Sequence, residues 1–175
     1  MQKYEFILKF GLGDIAADPE SFVAKLAAAG CADALIGVGR NGRIALDFTR
    51  CAASAREAVV SAIQDVQRAI PDATLLEATP DLVGLTDVAD ILGFSRQNMR
   101  KLMLNNPDFP PPLHDGKPSI WHLAKILLWL DQKATYTIDA SLLDIATTTM
   151  QCNIAREMEN LQPAMPSDIQ ALLLA

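Results

Sequence analysis

The sequence predicts an α+β protein in three parts, and three patterns support this prediction. Some stretches alternate apolar and polar residues, which is the period of a half-buried strand. Other stretches repeat apolar residues every three to four positions, as amphipathic helices do. Glycine and proline residues separate these stretches as turn and boundary signals. We place the boundaries of the three parts at residues 1–80, 81–133 and 134–175.

Residues 1–80 are predicted to fold in the order β–α–β–β–α–β, which is that of the ferredoxin-like split motif. Asn41-Gly42 is a strong hairpin signal between the two middle strands. By fold analogy, such a domain serves dimerisation or effector sensing. Asp47 and Arg50, beside the hairpin, are expected to be solvated single charges rather than a ligand-facing pair. The predicted elements are strands at 3–10, 34–38, 43–48 and 74–78, with helices that begin after Asp18 and Ser54.

Gly37-Val-Gly-Arg-Asn-Gly42 has the spacing of a dinucleotide-binding fingerprint, but it stands in the wrong context. That fingerprint requires glycines that lead into a helix N-terminus facing the pyrophosphate, and here a strand pattern follows. The chain also lacks clustered histidines, a Cys/His pair and a Gly-x-Ser-x-Gly motif. We therefore predict no cofactor, no metal and no enzymatic activity.

Residues 85–102 have the pattern of two short helices joined by a tight turn. Val88, Ile91 and Leu92 recur at helical spacing in the first helix. Gly93 suits the turn, and Ser95 is a favourable N-cap for the second helix. The outer face of that second helix carries cationic and amide side chains, which suit phosphates and base edges. The stretch therefore predicts a helix-turn-helix that contacts DNA.

Residues 107–130 extend this prediction to a wing and a closing helix. Pro107 ends the second helix, and Asp115-Gly116 is a turn dipeptide suited to a tight hairpin. Trp121 and Trp129 are expected in the core, whereas His122 is expected to cap or pack rather than to bind a metal. The predicted DNA-binding residues are Ser95, Arg96, Gln97, Asn98, Arg100 and Lys101 on the helix and His114, Lys117 and Ser119 at the wing.

In this combination, residues 85–130 resemble the winged helix-turn-helix of AlpA-type phage regulators, excisionases and the MerR superfamily. The resemblance is carried by Leu85-Thr-Asp-Val-Ala-Asp-Ile-Leu-Gly-Phe-Ser-Arg-Gln, by Asp108-Phe-Pro with Pro112, by Trp121 and by Trp129-Leu130. It covers about a quarter of the chain. What it implies is a fold and DNA binding, without an operator or a signal.

The charge balance predicts that any DNA contact is local. The chain has a net charge of -6 and a pI near 4.8, whereas DNA-binding domains usually present a basic footprint. Residues 81–133 hold six Lys/Arg against six Asp/Glu, and residues 134–175 hold one against five. A cationic face on an acidic body implies weak non-specific affinity, so we expect the protein to bind as a dimer or a higher assembly.

Residues 134–175 predict a long helix that begins near Asp139 and runs up to Pro163, followed by a short apolar helix at 167–175. Either its apolar stripe packs on the protein's own domains or it pairs with a second copy, and we favour the second copy because a regulator must span two half-sites. The predicted oligomerisation residues are Leu142, Ala146, Met150, Ile154, Met158 and Leu161.

The remaining composition argues for a cytosolic protein. No stretch approaches the roughly 18 apolar residues of a membrane span, and the N-terminus has no signal-peptide layout. Cys31, Cys51 and Cys152 are widely spaced and odd in number, so we expect small, mostly buried thiols rather than disulfides or zinc ligands.

Two functions remain open from the sequence. The first is a sequence-specific regulator that binds double-stranded DNA. The second is a protein-interaction module, such as an autoregulating antitoxin or a phage-type partner of a second protein, for which the acidic body and the C-terminal stripe matter more than DNA.

Overall fold

The described residues fold as a mixed α/β protein that is 47% helix and 22% strand, with a four-stranded antiparallel sheet and seven helices. This computed structural model describes residues 1–133, 136–161 and 164–173. None of the helices in these ranges has the length and apolarity that a membrane span requires.

The sheet is formed by residues 2–79, and its strands follow the predicted order along the chain. The strand order across the sheet is β2-β3-β1-β4, and the neighbouring strands are antiparallel. The strands are β1 (Gln2–Gly11), β2 (Ala34–Arg40), β3 (Arg43–Ala52) and β4 (Thr74–Thr79). A short 3-10 helix (Pro19–Phe22) leads into α1 (Val23–Ala28), and α2 (Ala55–Ala69) joins β3 to β4.

One face of the sheet forms the first core. Tyr4, Phe6, Leu8 and Phe10 of β1 are all buried, as their alternation predicts. Phe6 stacks on Phe48 of β3, with ring centroids 5.3 Å apart. The apolar side of α2 covers this face, and the predicted N-cap is confirmed, because the Ser54 hydroxyl accepts a hydrogen bond from the Glu57 N–H.

The sequence predicted that Arg50, beside the hairpin, is a solvated charge, and this prediction is wrong. Its side chain lies on the inner face of β3 and is only 8% exposed. The guanidinium binds both oxygens of Asp33, at 2.8 and 3.0 Å, and one oxygen of Asp65 at 2.9 Å. It also donates to Ser61 and to the carbonyl of Gly30. The expectation failed because the carboxylates come from other elements, which spacing along β3 does not reveal.

A second core gathers the helices of residues 85–132 with the first half of a later helix. Val88, Ala89, Met99 and Leu127 are among its buried side chains, and Trp121 and Trp129 are buried as predicted. The elements are α3 (Leu85–Leu92), α4 (Arg96–Asn105), α5 (Leu123–Gln132) and the two-residue strands β5 (Leu82–Val83) and β6 (Trp121–His122), which pair with each other. The strands β5 and β6 were not predicted, because two residues are too short to show a period.

The long helix α6 (Ala140–Glu159) lies between the two cores and packs on both. Asp139 is its N-cap, and a short helix, α7 (Ser167–Leu173), follows. Ile145 belongs to the first core and Ala146 to the second. Glu159 is the last residue of α6, and Pro163, where the sequence placed the end of the helix, lies outside the described residues.

The apolar stripe on α6 is therefore divided between two environments. Ala146 is fully buried, and Leu142 and Met150 pack against the cores of the same chain. Ala146 is therefore not available to a second copy, which corrects the oligomerisation prediction for it, whereas Leu142 and Met150 are half-buried. The other three predicted residues, Ile154, Met158 and Leu161, remain exposed.

The three cysteines differ in their exposure to solvent. Cys31 is buried, and burial raises the pKa of its thiol to about 11, with the nearby Asp65 carboxylate adding to the shift. Cys152 is half-buried. Cys51 is exposed, which corrects the expectation of a buried thiol, because its side chain points to the solvent face of β3 while its neighbours Arg50 and Ala52 face the core.

Candidate nucleic-acid interface

The junction between α3 and α4 is a glycine turn followed by a serine cap. Gly93 ends α3 in the left-handed conformation, at φ 68°, which glycine adopts without the steric cost of a Cβ. Across this turn the Phe94 N–H donates to the Ala89 carbonyl, at 2.8 Å. The Ser95 hydroxyl then accepts from the Asn98 N–H, at 3.1 Å, and so begins α4. The predicted turn and cap are both confirmed.

Helix α4 has one buried face and one exposed polar face. Met99 is fully buried against the second core, and Leu102 is half-buried. The polar side chains that the sequence assigned to DNA contact are exposed on the other face, and within the described part of the chain they form no ion pair or side-chain hydrogen bond. They are Arg96, Gln97, Asn98, Arg100 and Lys101. The cations among them, Arg96, Arg100 and Lys101, therefore have no ion-pair partner in the described part of the chain.

The predicted wing is present as a loop rather than as a tight hairpin. His114 and Ile120 form a single antiparallel bridge that encloses residues 115–119, so the turn is longer than Asp115-Gly116 alone. Proline explains the difference, because Pro112 and Pro118 have no N–H to donate to a longer ladder. His114 and Lys117 are exposed.

Ser119 is half-buried, and its hydroxyl donates to the Gly116 carbonyl at 3.0 Å. This bond holds the loop closed and occupies the donor of the serine. Ser119 is therefore placed to shape the wing more than to offer a free hydroxyl to a partner.

A groove of about 720 Å³ runs between α4, the start of α3 and the proline-rich segment before the wing. It brings together Arg96 and Arg100 on its α4 side with Ser119 on its wing side. Asp87 and Asp115 also line it, so its charge is mixed rather than uniformly basic. The other predicted DNA-binding residues lie outside its lining: Ser95 caps α4, His114 and Lys117 are in the wing, and the exposed face of α4 carries Gln97, Asn98 and Lys101.

Three aromatic rings fix the wing to the helices. Phe109 packs edge-on against Trp121 and Trp129, with ring centroids 6.3 and 5.1 Å away. The Trp121 indole N–H donates to the Pro110 carbonyl at 3.0 Å, and that of Trp129 donates to Asp108 at 3.1 Å. These contacts make the groove wall rigid.

Asp108 is also bound by the ammonium group of Lys133 at 2.6 Å. The hydrogen bonds from Lys133 and Trp129 hold the pKa of the Asp108 carboxyl below its ordinary value. The Asp108-Phe-Pro sequence carried part of the family resemblance, and in the structure these residues anchor the wing.

A buried polar cluster was missed by the sequence reasoning. His122 Nδ1 lies 2.7 Å from Asp81 Oδ1, and Asn153 donates to Asp81 Oδ2 at 2.8 Å. Asn153 also bonds both the N–H and the carbonyl of Ala78. His122 is buried with Asp81 as its partner, a contact that no spacing in the sequence predicts because the two residues lie far apart along the chain.

No group of three His, Cys, Asp or Glu side chains within the described ranges is placed to hold a metal ion. Comparisons with protein-family models, with curated proteins and with solved structures found no match. A function for this chain therefore has to be argued from the geometry of the site.

Proposed function

We propose that the protein is a sequence-specific regulator that binds double-stranded DNA through a winged helix-turn-helix formed by residues 81–133. The observation that carries this proposal is the outer face of α4, where cationic and amide side chains are exposed and unpaired next to a glycine turn and a wing. Arginine is suited to guanine or phosphate, and asparagine and glutamine are suited to adenine.

The remainder of the chain has a supporting role in this proposal. The strand order β2-β3-β1-β4 supports assigning residues 1–80 to a ferredoxin-like domain. We assign this domain to sensing or dimerisation, by analogy of fold. The protein is expected to act in the cytoplasm, where its DNA would be.

DNA contact is tested with the double variant Arg100→Ala, Lys101→Ala and the DNA upstream of the protein's own gene, together with a random-sequence library. Losing two exposed cations is expected to weaken binding roughly 10- to 100-fold and to lower the slope of log affinity against log salt by up to about 2. A gel-shift titration at several salt concentrations measures both.

The matched control is Lys25→Ala, Arg56→Ala, which removes the same charge from exposed positions of the sheet domain. This control is expected to bind as the wild type does. If the two double variants bind DNA equally well, α4 is not the DNA-contacting element. If the wild type binds neither the upstream DNA nor any sequence selected from the library, the proposed function fails.

The assembly that the proposal requires is assigned to α7. Ile169 and Leu172 of this helix are 46% and 80% exposed, and an isolated helix of this length is not stable in water. Packing on a second copy would bury these side chains. Light scattering is expected to give a mass above one chain, falling to one chain when residues 167–175 are deleted. A single-chain mass for the full-length protein contradicts the assignment.

A further inference from the structure

A second cavity lies where the sheet, α6 and the short strands β5 and β6 meet. It has a volume of about 750 Å³ and shares no lining residue with the groove beside α4. Its walls are mainly apolar, and they include Ile154 and Met158 of α6 together with Leu82, Leu161 and Met165. Small-molecule sites have volumes of about 300–1,000 Å³ and mostly apolar walls with a few directed polar groups.

Several polar side chains line this cavity, and the orientation of one of them, His122, is fixed from three parts of the chain. Asp81 follows β4, His122 ends β6, and Asn153 lies on α6. All three side chains are buried. The bonds among them, and from Asn153 to the backbone of Ala78, leave the imidazole ring little freedom to rotate.

This arrangement determines which nitrogen of His122 faces a ligand. A carboxylate only accepts hydrogen bonds, so Asp81 holds a hydrogen on Nδ1, and in the neutral form of the ring the lone pair is on Nε2. Within the described part of the chain Nε2 makes no hydrogen bond, and His122 lines the cavity. The cavity therefore contains a directed hydrogen-bond acceptor among apolar walls.

The charges around the cavity largely neutralise one another. Lys9 pairs with Glu77 at 2.6 Å, and Arg156 pairs with Glu157. Asp81 is engaged by His122 and Asn153, which leaves only the exposed Arg43 among the lining charges without a described ion pair. This balance favours an uncharged ligand over an anionic or a cationic one.

We propose that the cavity binds an uncharged, largely apolar small molecule whose hydroxyl or N–H group donates a hydrogen bond to Nε2 of His122. The ligand body would cover the apolar side chains of Leu82, Met158 and Leu161. This site is separate from the proposed DNA contact and does not depend on it.

The probe for this site is N-phenyl-1-naphthylamine, which is uncharged and apolar and has one N–H. Fluorescence titration of the full chain is expected to show saturable binding of one probe per chain. Met158→Arg places a charge at a wall residue that is 68% exposed, and it is expected to weaken binding at least tenfold. Leu35→Arg, at a 77% exposed position on β2 outside the cavity, is the matched control and is expected to bind as the wild type does.

The hydrogen bond to His122 is tested by changing the probe rather than the protein, since replacing His122 would remove one of the two described side-chain partners of the buried Asp81. The N-methylated probe has no N–H and is expected to bind about fivefold to tenfold more weakly. The ¹⁵N resonance of His122 Nε2 is expected to shift with the first probe only.

Equal binding of the two probes, or equal binding by the Met158→Arg and Leu35→Arg variants, overturns the proposal. The proposal is also overturned if the wild type binds no probe and the Met158→Arg variant has a lower mass in solution than the wild type. That result makes the cavity an interface between two copies of this chain.

Discussion

Arg50 in the sheet domain and the cations of α4 are the same kind of group in opposite situations. Arg50 is buried, and each of its nitrogens has a partner in Asp33, Asp65, Ser61 or Gly30. The cations of α4 are exposed and have no ion pair in the described part of the chain. The acidic chain has carboxylates in excess, 21 against 15 Lys and Arg, so the absence of partners on α4 is not a shortage of acids.

This difference distinguishes structural charges, which are paired within the fold, from available charges, which are exposed and can bind a partner. A buried ion must be paired, because desolvation costs more than an unpaired interior charge can recover. An exposed cation has no such requirement and contributes little to stability even when it is paired. The comparison therefore predicts that substitutions at Arg50 affect folding, whereas substitutions on α4 affect binding.

The largest effect is expected for Arg50→Met, which leaves Asp33 and Asp65 without their main partner. We expect a loss of about 3 kcal/mol in the free energy of unfolding, in the lower range for broken buried pairs because Asp33 keeps some contact with water. Urea denaturation measures the loss.

Two controls accompany the Arg50 variant. Arg68→Met removes a cation that also binds Asp65 but is 63% exposed, and it is expected to cost less than about 1 kcal/mol. The Arg100→Ala, Lys101→Ala variant is expected to unfold within about 0.5 kcal/mol of the wild type. If the α4 variant is as unstable as Arg50→Met, the distinction between structural and available charge is wrong.

A smaller effect than that of Arg50→Met concerns Asp139, an exposed charge that is bonded within its own helix terminus. It accepts from the N–H and the hydroxyl of Ser141, at 2.7 Å each. These hydrogen bonds from Ser141 lower the pKa of Asp139 below its ordinary 3.8. Asp139→Ala is expected to cost about 1 kcal/mol at neutral pH, as the loss of an N-cap does.

The pH dependence has a definite sign, because a lowered pKa stabilises the folded state only while the carboxyl is ionised. The contribution is present above the ordinary pKa and is lost as pH falls through the lower, folded-state pKa. The gap in melting temperature between the wild type and Asp139→Ala should therefore narrow below about pH 4. Asp139→Asn keeps the capping acceptor but does not titrate. The difference in melting temperature between Asp139→Asn and Asp139→Ala should therefore stay constant as the pH falls.

The elements of the proposed site were predictable, whereas its shape was not. Gly93 and Ser95 act on residues within one turn of them, so the sequence located the turn and the cap. The groove depends on Phe109 packing between two tryptophans and on a wing loop lengthened by proline. Those contacts join residues that only folding brings together.

The sequence by itself determined the four strands of the sheet, the helices and the exposed polar face of α4, because each follows from a period or a cap that neighbouring residues set. Only the tertiary structure decided which charges are paired and which apolar side chains are buried where distant elements meet. The Asp81, His122 and Asn153 cluster joins residues 41 and 72 positions apart. Helix α6 likewise divides its stripe because two cores meet along it. Burial depends on what packs from outside an element, and periodicity within that element does not specify it.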